Sequence, residues 1–125
     1  MDKRASIIKN YIDGYNEFDI DKMVTDFDEG IVFENIADGK ITLSLTGLTS
    51  FRKQAEQAKE YFSYRKQTIK SYIHHHNETE IEIDYKAIIA IDFTNGLKKG
   101  EELHLKGKSV FTFEYNKIVK LSDIS

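Results

Sequence analysis

The 125-residue chain contains no cysteine, no proline and no tryptophan. Without cysteine there is no disulfide, no thiolate nucleophile and no cysteine-bearing zinc site. Positive charge is also in short supply: 18 lysines and arginines stand against 21 aspartates and glutamates, a net charge of −3. A nucleic-acid binder neutralises phosphates with a basic face, so this balance argues against one, despite the locally basic stretches KSYIHHHN and GLKKGEELHLKGK. No apolar run approaches the roughly 20 residues that a membrane span requires. The start, MDKRASIIKNYID, pairs only Ile7 and Ile8 before polar residues resume, which is not the pattern of a signal peptide. The expectation is a soluble, cytoplasmic protein with neither nucleic acid nor membrane as partner. The length suits a single domain over residues 1–125, which buries roughly two thirds of its unfolded surface without staples.

What is present is strongly patterned. Ile7, Ile8, Tyr11, Tyr15 and Phe18 recur at helical spacing, with Ile12 beside them. Asp19 is placed to cap a second helix with the apolar face Ile20, Met23, Val24 and Phe27. Gly30 then stands where a helix C-terminus calls for a positive φ. In IVFEN, Ile31, Phe33 and Asn35 share one strand face, and Val32 and Glu34 the other. Asp38-Gly39 is a two-residue hairpin signal, and Ile41, Leu43 and Leu45 continue as a second strand. A third helix follows Gly47, with the stripe Leu48, Phe51, Ala55, Ala58 and Phe62.

From Tyr64 onward the period is two. One strand is predicted from about Thr68 to His76. A turn at Asn77-Glu78 leads into another, whose apolar face runs through Ile81, Ile83, Tyr85, Ala87, Ile89, Ile91 and Phe93. After the loop TNGLKKGE a strand covers Leu103 to Tyr115, with Gly107 placed for a bulge. Asn116 suits a tight turn, and Ile118 to Ile124 is the last strand. The order α-α-β-β-α-β-β-β-β predicts an α+β domain with its helices on one face of the sheet. A curved sheet closed by helices leaves a cavity at its wide end, and such cavities are apolar with a few placed polar groups.

Three stretches, YIDGYNEFDIDKMVTDFDEGIVFEN (Tyr11–Asn35), GLTSFRK (Gly47–Lys53) and SVFTFEYNKIVKL (Ser109–Leu121), resemble the NTF2-like superfamily, in particular its SnoaL-like and ketosteroid-isomerase-like members. The similarity spans essentially the whole chain. It implies a cone-shaped NTF2-like (cystatin-like) fold: three helices of the N-terminal half packed on a strongly curved, mixed, mostly antiparallel sheet. It does not choose among isomerases, dehydratases, cyclases, ligand-binding domains and interaction modules. In the steroid-isomerase branch a first-helix tyrosine polarises the substrate oxygen, and Tyr11 stands at the matching position. That branch places its general base, an aspartate, near the end of the first strand, where this chain has Asn35. Its second oxyanion donor, a protonated aspartate, is matched by Ser109, ahead of Phe111 and Phe113. An amide cannot abstract a proton, and a positioned base supplies roughly 10²–10⁴-fold in rate. The sequence therefore argues against isomerisation by that mechanism.

The remaining candidates each have two readings. Tyr11 and Tyr15, one helical turn apart, are either pocket hydrogen-bond donors or core aromatics. Asn35, an amide on an apolar strand face, binds either a ligand oxygen or a water or neighbouring side chain. Asp123 lies in phase with Val119 and Leu121. It is either a pocket acid/base, as the cyclase branch uses an aspartate on a late strand, or a solvated residue near the chain end. His74 and His76 point the same way about 7 Å apart on a strand, with His75 opposed. A metal would need a third ligand, and His104 lies on another strand, so no metal site is assigned and the run reads as solvated histidines or a dimer contact. No serine carries a nucleophile signature.

Two functions of different class follow. One is a pocket protein that binds a small, largely apolar ligand through Tyr11, Tyr15, Phe33, Asn35, Phe51, Tyr85, Ser109, Phe111 and Phe113. Its chemistry, if any, would be cofactor-independent acid/base work (lyase, cyclase or isomerase-like) with Asp123 and Tyr11 as the catalytic candidates. The other is a non-catalytic dimeric interaction module that retains the fold. The second face of the long central strand, Lys86, Ile88, Ala90 and Asp92, is apolar at its middle, and this predicts a homodimer through the sheet.

Overall fold

The computed structural model describes residues 3–125. Helix α1 (Arg4–Asn16) is followed by the one-turn helix α2 (Ile20–Met23), and the two strands β1 (Phe27–Ala37) and β2 (Lys40–Thr46) lead into α3 (Leu48–Lys59). Four strands complete the chain: β3 (Phe62–His74), β4 (Glu78–Ile89), β5 (Glu102–Glu114) and β6 (Lys117–Ile124). The element order is the one the hydrophobic periodicity predicts. All six strands form one sheet in the order β2-β1-β6-β5-β4-β3. The pairing of β1 with β6 is parallel, and the other four pairings are antiparallel.

Local chemistry sets the turns. The Asp19 carboxylate caps α2 by accepting from the Lys22 N–H at 3.1 Å. The chain reverses between α1 and α2 at Phe18, whose φ is 58°. There the two helices meet backbone to backbone, because a Cβ on Gly14 would sit 2.8 Å from the Met23 nitrogen. The β1–β2 hairpin turns on Asp38 and Gly39, with φ of 52° and 76°, and the β5–β6 hairpin on Tyr115 and Asn116, with φ of 49° and 66°. Both are turns whose two central residues take positive φ and whose twist suits adjoining strands. Register shifts at Asn35/Ile36, Ile69/Ser71 and Thr112/Phe113 bend the sheet.

The helices cover one sheet face. Ile8, Tyr11 and Ile12 of α1, Phe51 and Ala55 of α3, and Ile31, Phe33, Ile81, Phe111, Ile118 and Leu121 of the strands form one buried cluster. Ile8, Ile81, Phe111 and Leu121 are completely inaccessible. Each such side chain contributes about 1.5–3 kcal/mol from burial alone. Phe27 packs edge-on against Phe51 at 4.8 Å and stacks on Tyr11 at 5.5 Å, locking both helices to β1.

Several expectations are corrected. Gly30 does not end a helix: α2 stops at Met23, Phe27 opens β1, and the Gly30 N–H bonds to the Asp28 carboxylate at 2.8 Å within that strand. Phe62 belongs to β3 and not to the third helix, so β3 starts six residues before Thr68 and ends at His74. The β4 strand ends at Ile89, because its pairing with β5 stops at Ile88 and Glu102 and leaves Ile91 and Phe93 without a strand partner. Phe93 packs instead on the ring of Tyr61 at 5.3 Å. Gly107 makes no bulge. It admits the end of β6, since a Cβ there would stand 3.1 Å from the Ile124 carbonyl oxygen.

Candidate functional site

At the end of the sheet away from the aromatic core lies a cavity of about 410 Å³. Its polar lining includes Tyr15, Asn35, Gln67, Tyr85, Ser109 and Asp123, together with Thr42, Lys106, Lys108 and Ser125, and Ile36, Ile83, Leu105, Gly107 and Ile124 supply apolar wall. The size falls within the roughly 300–1,000 Å³ of small-molecule sites.

Strand register assembles one polar group. Asn35 on β1 is the partner of Asp123 on β6, and Asp123 is the partner of Ser109 on β5. Strands stand roughly 4.8 Å apart, so three polar side chains are brought side by side on the inner face. The Ser109 hydroxyl donates to the Asp123 Oδ1 at 2.7 Å. Burial pushes the Asp123 carboxyl up from 3.8 to about 6, and the Ser109 hydrogen bond pulls the other way. Tyr11 is coupled to the same carboxylate. Burial first, and the Asp123 charge second, hold its phenol well above the ordinary value. It is therefore protonated at neutral pH. Tyr11 itself is 5% exposed, packed between Phe27 and Phe111, and is not part of the cavity lining.

A second polar group lies farther along the strands. The hydroxyls of Tyr15 and Tyr85 are 2.9 Å apart. Burial raises the proton affinity of both phenols, so both stay neutral at physiological pH. Gln67 lines the cavity beside them, and its Oε1 has no hydrogen-bond partner among the described residues. Its backbone is fixed from both sides: Asn16 Oδ1 accepts the Gln67 N–H at 2.7 Å, and Asn16 Nδ2 donates to the Gln67 carbonyl at 3.0 Å. Behind Tyr15 is a buried arginine. The Arg65 guanidinium lies 3.8 Å over the Tyr15 ring and 4.4 Å over that of Phe18. Its Nε donates to the Tyr15 carbonyl at 2.8 Å, so a cation sits at the negative end of α1.

Of the residues singled out in the sequence, Tyr15, Asn35, Tyr85, Ser109 and Asp123 line the cavity. Phe33, Phe51, Phe111 and Phe113 are placed in the closed hydrophobic cluster and do not line it. Their rings satisfy one another: Phe33 packs edge-on against Phe51 at 5.4 Å. His74 stacks on Tyr72, and its Nδ1 bonds with the Thr79 hydroxyl at 2.8 Å. His75 and His76 fall in the turn beyond β3. Among the described residues no cluster of three His, Asp or Glu side chains is arranged to hold a metal. Sequence reasoning missed Gln67 and Arg65. The signal was the alternation that begins at Tyr64, which puts Arg65, Gln67 and Ile69 on one face of β3.

The geometry can now be compared with known proteins. The family model for a SnoaL-like domain matches residues 8–121. None of the curated proteins matches the chain. Among solved structures, IdmH of Streptomyces antibioticus, provisionally assigned as a polyketide cyclase, is similar at a TM-score of 0.80 and 10% identity, over 98% of this chain and 91% of its own. TerC, co-crystallised with polyporic acid, is similar at 0.79 and 12% identity, over 98% and 91%. A hypothetical protein of ketosteroid-isomerase-like fold from Catenulispora acidiphila, in complex with trimethylamine, gives 0.76 and 14% identity over 94% and 82%. At such identities the likeness is one of fold, a cone-like α+β architecture. The match over residues 8–121 goes further: this chain belongs to the SnoaL-like domain family.

Proposed function

We propose that this protein binds a small, largely apolar molecule in the cavity and moves a proton on it without a cofactor, Asp123 being the acid/base group. The observation that supports this most is the state of Asp123: a carboxyl lining a cavity, held by Ser109, whose proton affinity is raised to about 6. A general base works best when its pKa lies near the working pH, because it is then ionised yet still basic. Ser109 occupies Oδ1 and leaves Oδ2 for a substrate hydrogen. In the step envisaged, Asp123 Oδ2 takes a proton from a carbon beside a carbonyl. The electron pair of the broken C–H bond moves onto the carbonyl oxygen, which in this reading accepts from the Asn35 amide. Return of the proton at another atom gives an isomerisation. Attack of the enolate carbon on a second carbonyl of the same molecule, whose oxygen then takes the proton from Asp123, gives a cyclisation. Departure of a β-hydroxyl, which takes that proton and leaves as water, gives an elimination. The base stands on β6, not at position 35, so this is a different layout from the steroid isomerases.

The neighbours described as a polyketide cyclase and as a complex with polyporic acid make flat, oxygen-bearing ring compounds the class to try first. A direct test follows the α-hydrogens of 2-tetralone in D₂O by NMR. The wild-type chain is expected to accelerate their exchange and Asp123→Asn to leave it at the rate in buffer. Equal rates with both proteins would overturn the assignment.

A homodimer through the outer sheet face belongs to the same reading. That face carries half-buried Ile88 and Val110 among charged pairs, Lys106 with Asp84 at 3.5 Å and Lys108 with Glu80 at 3.9 Å. Ala90 and Asp92 lie beyond the end of β4 and drop out of it. Light scattering on the purified chain reads the mass.

A further inference from the structure

We infer that the cavity end formed by Gln67, Tyr15 and Tyr85 is a subsite for an acidic hydroxyl group of the ligand, a phenol or an enol. The inference rests on the proposed ligand cavity, but not on the chemistry at Asp123. Three observations carry it.

Gln67 is 8% exposed and lines the cavity, while its Oε1 is turned away from solvent and has no partner among the described residues. A buried polar atom left unpaired costs about 1–3 kcal/mol. The chain cannot relieve this by swinging β3 outward, because Asn16 holds the Gln67 backbone at both N–H and carbonyl. A turn of the Gln67 amide that brings this oxygen to a ligand donor in the cavity removes the penalty.

The Tyr15 and Tyr85 hydroxyls bond to each other at 2.9 Å, and either can be the donor. Whichever one accepts keeps its own hydrogen for a third partner. This end of the cavity therefore offers an acceptor and a donor side by side. A ligand ketone or ether only accepts. A hydroxyl does both, donating to Gln67 and accepting from a tyrosine.

The third observation is charge. Arg65 is 2% exposed, stacked behind Tyr15, with its Nη2 unpartnered among the described residues. Its charge lowers the proton affinity of both Tyr15 and Tyr85 against the stronger effect of burial, and the remaining groups acting on these phenols are tyrosines. Positive potential at the subsite favours an oxygen that releases its proton readily. Arg65 does not itself line the cavity. The two lysines at the cavity wall, Lys106 and Lys108, alternate with the inward residues of β5 and turn their ammonium groups to Asp84 and Glu80 on the outer face. A full carboxylate at this end would thus be buried without a direct ion pair, which is costly. Asp123 is distant from this end. The row holding Gln67, Tyr85 and Leu105 is four residues along β4 and β5 from the row holding Ile81, Ser109 and Asp123. That is about 13 Å of strand. A ligand reaching both ends has its acidic hydroxyl at one and its reacting carbon at the other, joined by a ring system.

The test titrates the whole chain with four probes by chemical-shift perturbation: naphthalene, 2-methoxynaphthalene, 2-naphthoate and 2-naphthol. The wild type is expected to bind 2-naphthol at least tenfold more tightly than the methoxy ether or the carboxylate. Gln67→Met and Tyr85→Phe are expected to abolish that preference, so that within each variant 2-naphthol and 2-methoxynaphthalene bind within about twofold of each other. Tyr15→Phe, which keeps the ring over Arg65, serves should either variant not fold. In the wild type the side-chain amide signal of Gln67 should shift with 2-naphthol and not with naphthalene. Naphthalene binding with no preference for 2-naphthol, or tighter binding of 2-naphthoate, overturns the subsite and leaves the cavity reading intact. Failure of all four probes to bind overturns both.

Discussion

Replacing Asp123 by asparagine should change how stability depends on pH, in a direction the structure fixes. The carboxyl has a proton affinity corresponding to 3.8 when unfolded and to about 6 in the fold, where burial disfavours its charge. Below 3.8 it is protonated in both states and costs nothing. Between 3.8 and about 6 the folded chain holds a proton that the unfolded chain has released, so stability falls as pH rises. Above that window the loss is complete. At about 1.4 kcal/mol for each tenfold change in proton affinity, the loss amounts to at most about 3 kcal/mol. Asparagine keeps an oxygen for the Ser109 hydroxyl but cannot ionise. Urea unfolding of both proteins at intervals from pH 3.5 to 8 measures the difference. The stability of the wild type relative to Asp123→Asn is expected to drop by up to about 3 kcal/mol across the window and to be flat above pH 7. A constant difference, or one that grows in favour of the wild type as pH rises, would show that Asp123 is not a strained carboxyl and would remove the basis for its acid/base role.

Two further outcomes test neighbouring parts of the argument. Ser109→Ala deletes the hydrogen bond that favours the carboxylate, so Asp123 should titrate higher than about 6, seen as an upfield-to-downfield midpoint displaced to higher pH in carboxyl ¹³C spectra. An unmoved midpoint would make Ser109 a packing residue only. Gly14→Ala should destabilise by about 1–3 kcal/mol in urea titrations, although alanine is the better helix former by about 1 kcal/mol. The cause is the 2.8 Å approach of the added methyl to the Met23 nitrogen, and a stabilised variant would contradict that close contact.

The elements that could be read from the chain are those whose instructions are local. Asp38-Gly39 specifies its hairpin because both residues accept positive φ, and alternation puts Phe33 with Asn35, and Leu121 with Asp123, on shared faces. Errors arose where a local pattern served two masters. Phe27 continues the apolar stripe of α2, yet its ring is captured by Tyr11 and Phe51 and it begins a strand. Phe62 fits the stripe of α3 but pairs with Ile89 at the start of β3. That early start hid Arg65 and Gln67, which lie in the stretch between helix and expected strand. The phenylalanines illustrate another limit. Phase marks Phe33, Phe51, Phe111 and Phe113 as inward-facing, but inward covers both a closed core and an open cavity, and these four belong to the core.

The sequence by itself determined the order of helices and strands, the two tight turns, the face on which each inward residue lies and the absence of a carboxylate at position 35. Those follow from backbone preference and period, which act over a few residues. Only the tertiary structure decided that β1 lies parallel to β6 and β6 beside β5, so that Asn35, Asp123 and Ser109 stand in one row. It alone decided that the end of α1 rests on β3, joining Tyr15 to Tyr85 and placing Arg65 and Gln67 behind and beside them. Register between strands distant in the chain is set by the burial of whole faces and the curvature of the sheet. The same long-range packing withdraws water from Asp123 and raises its proton affinity, which no local pattern encodes.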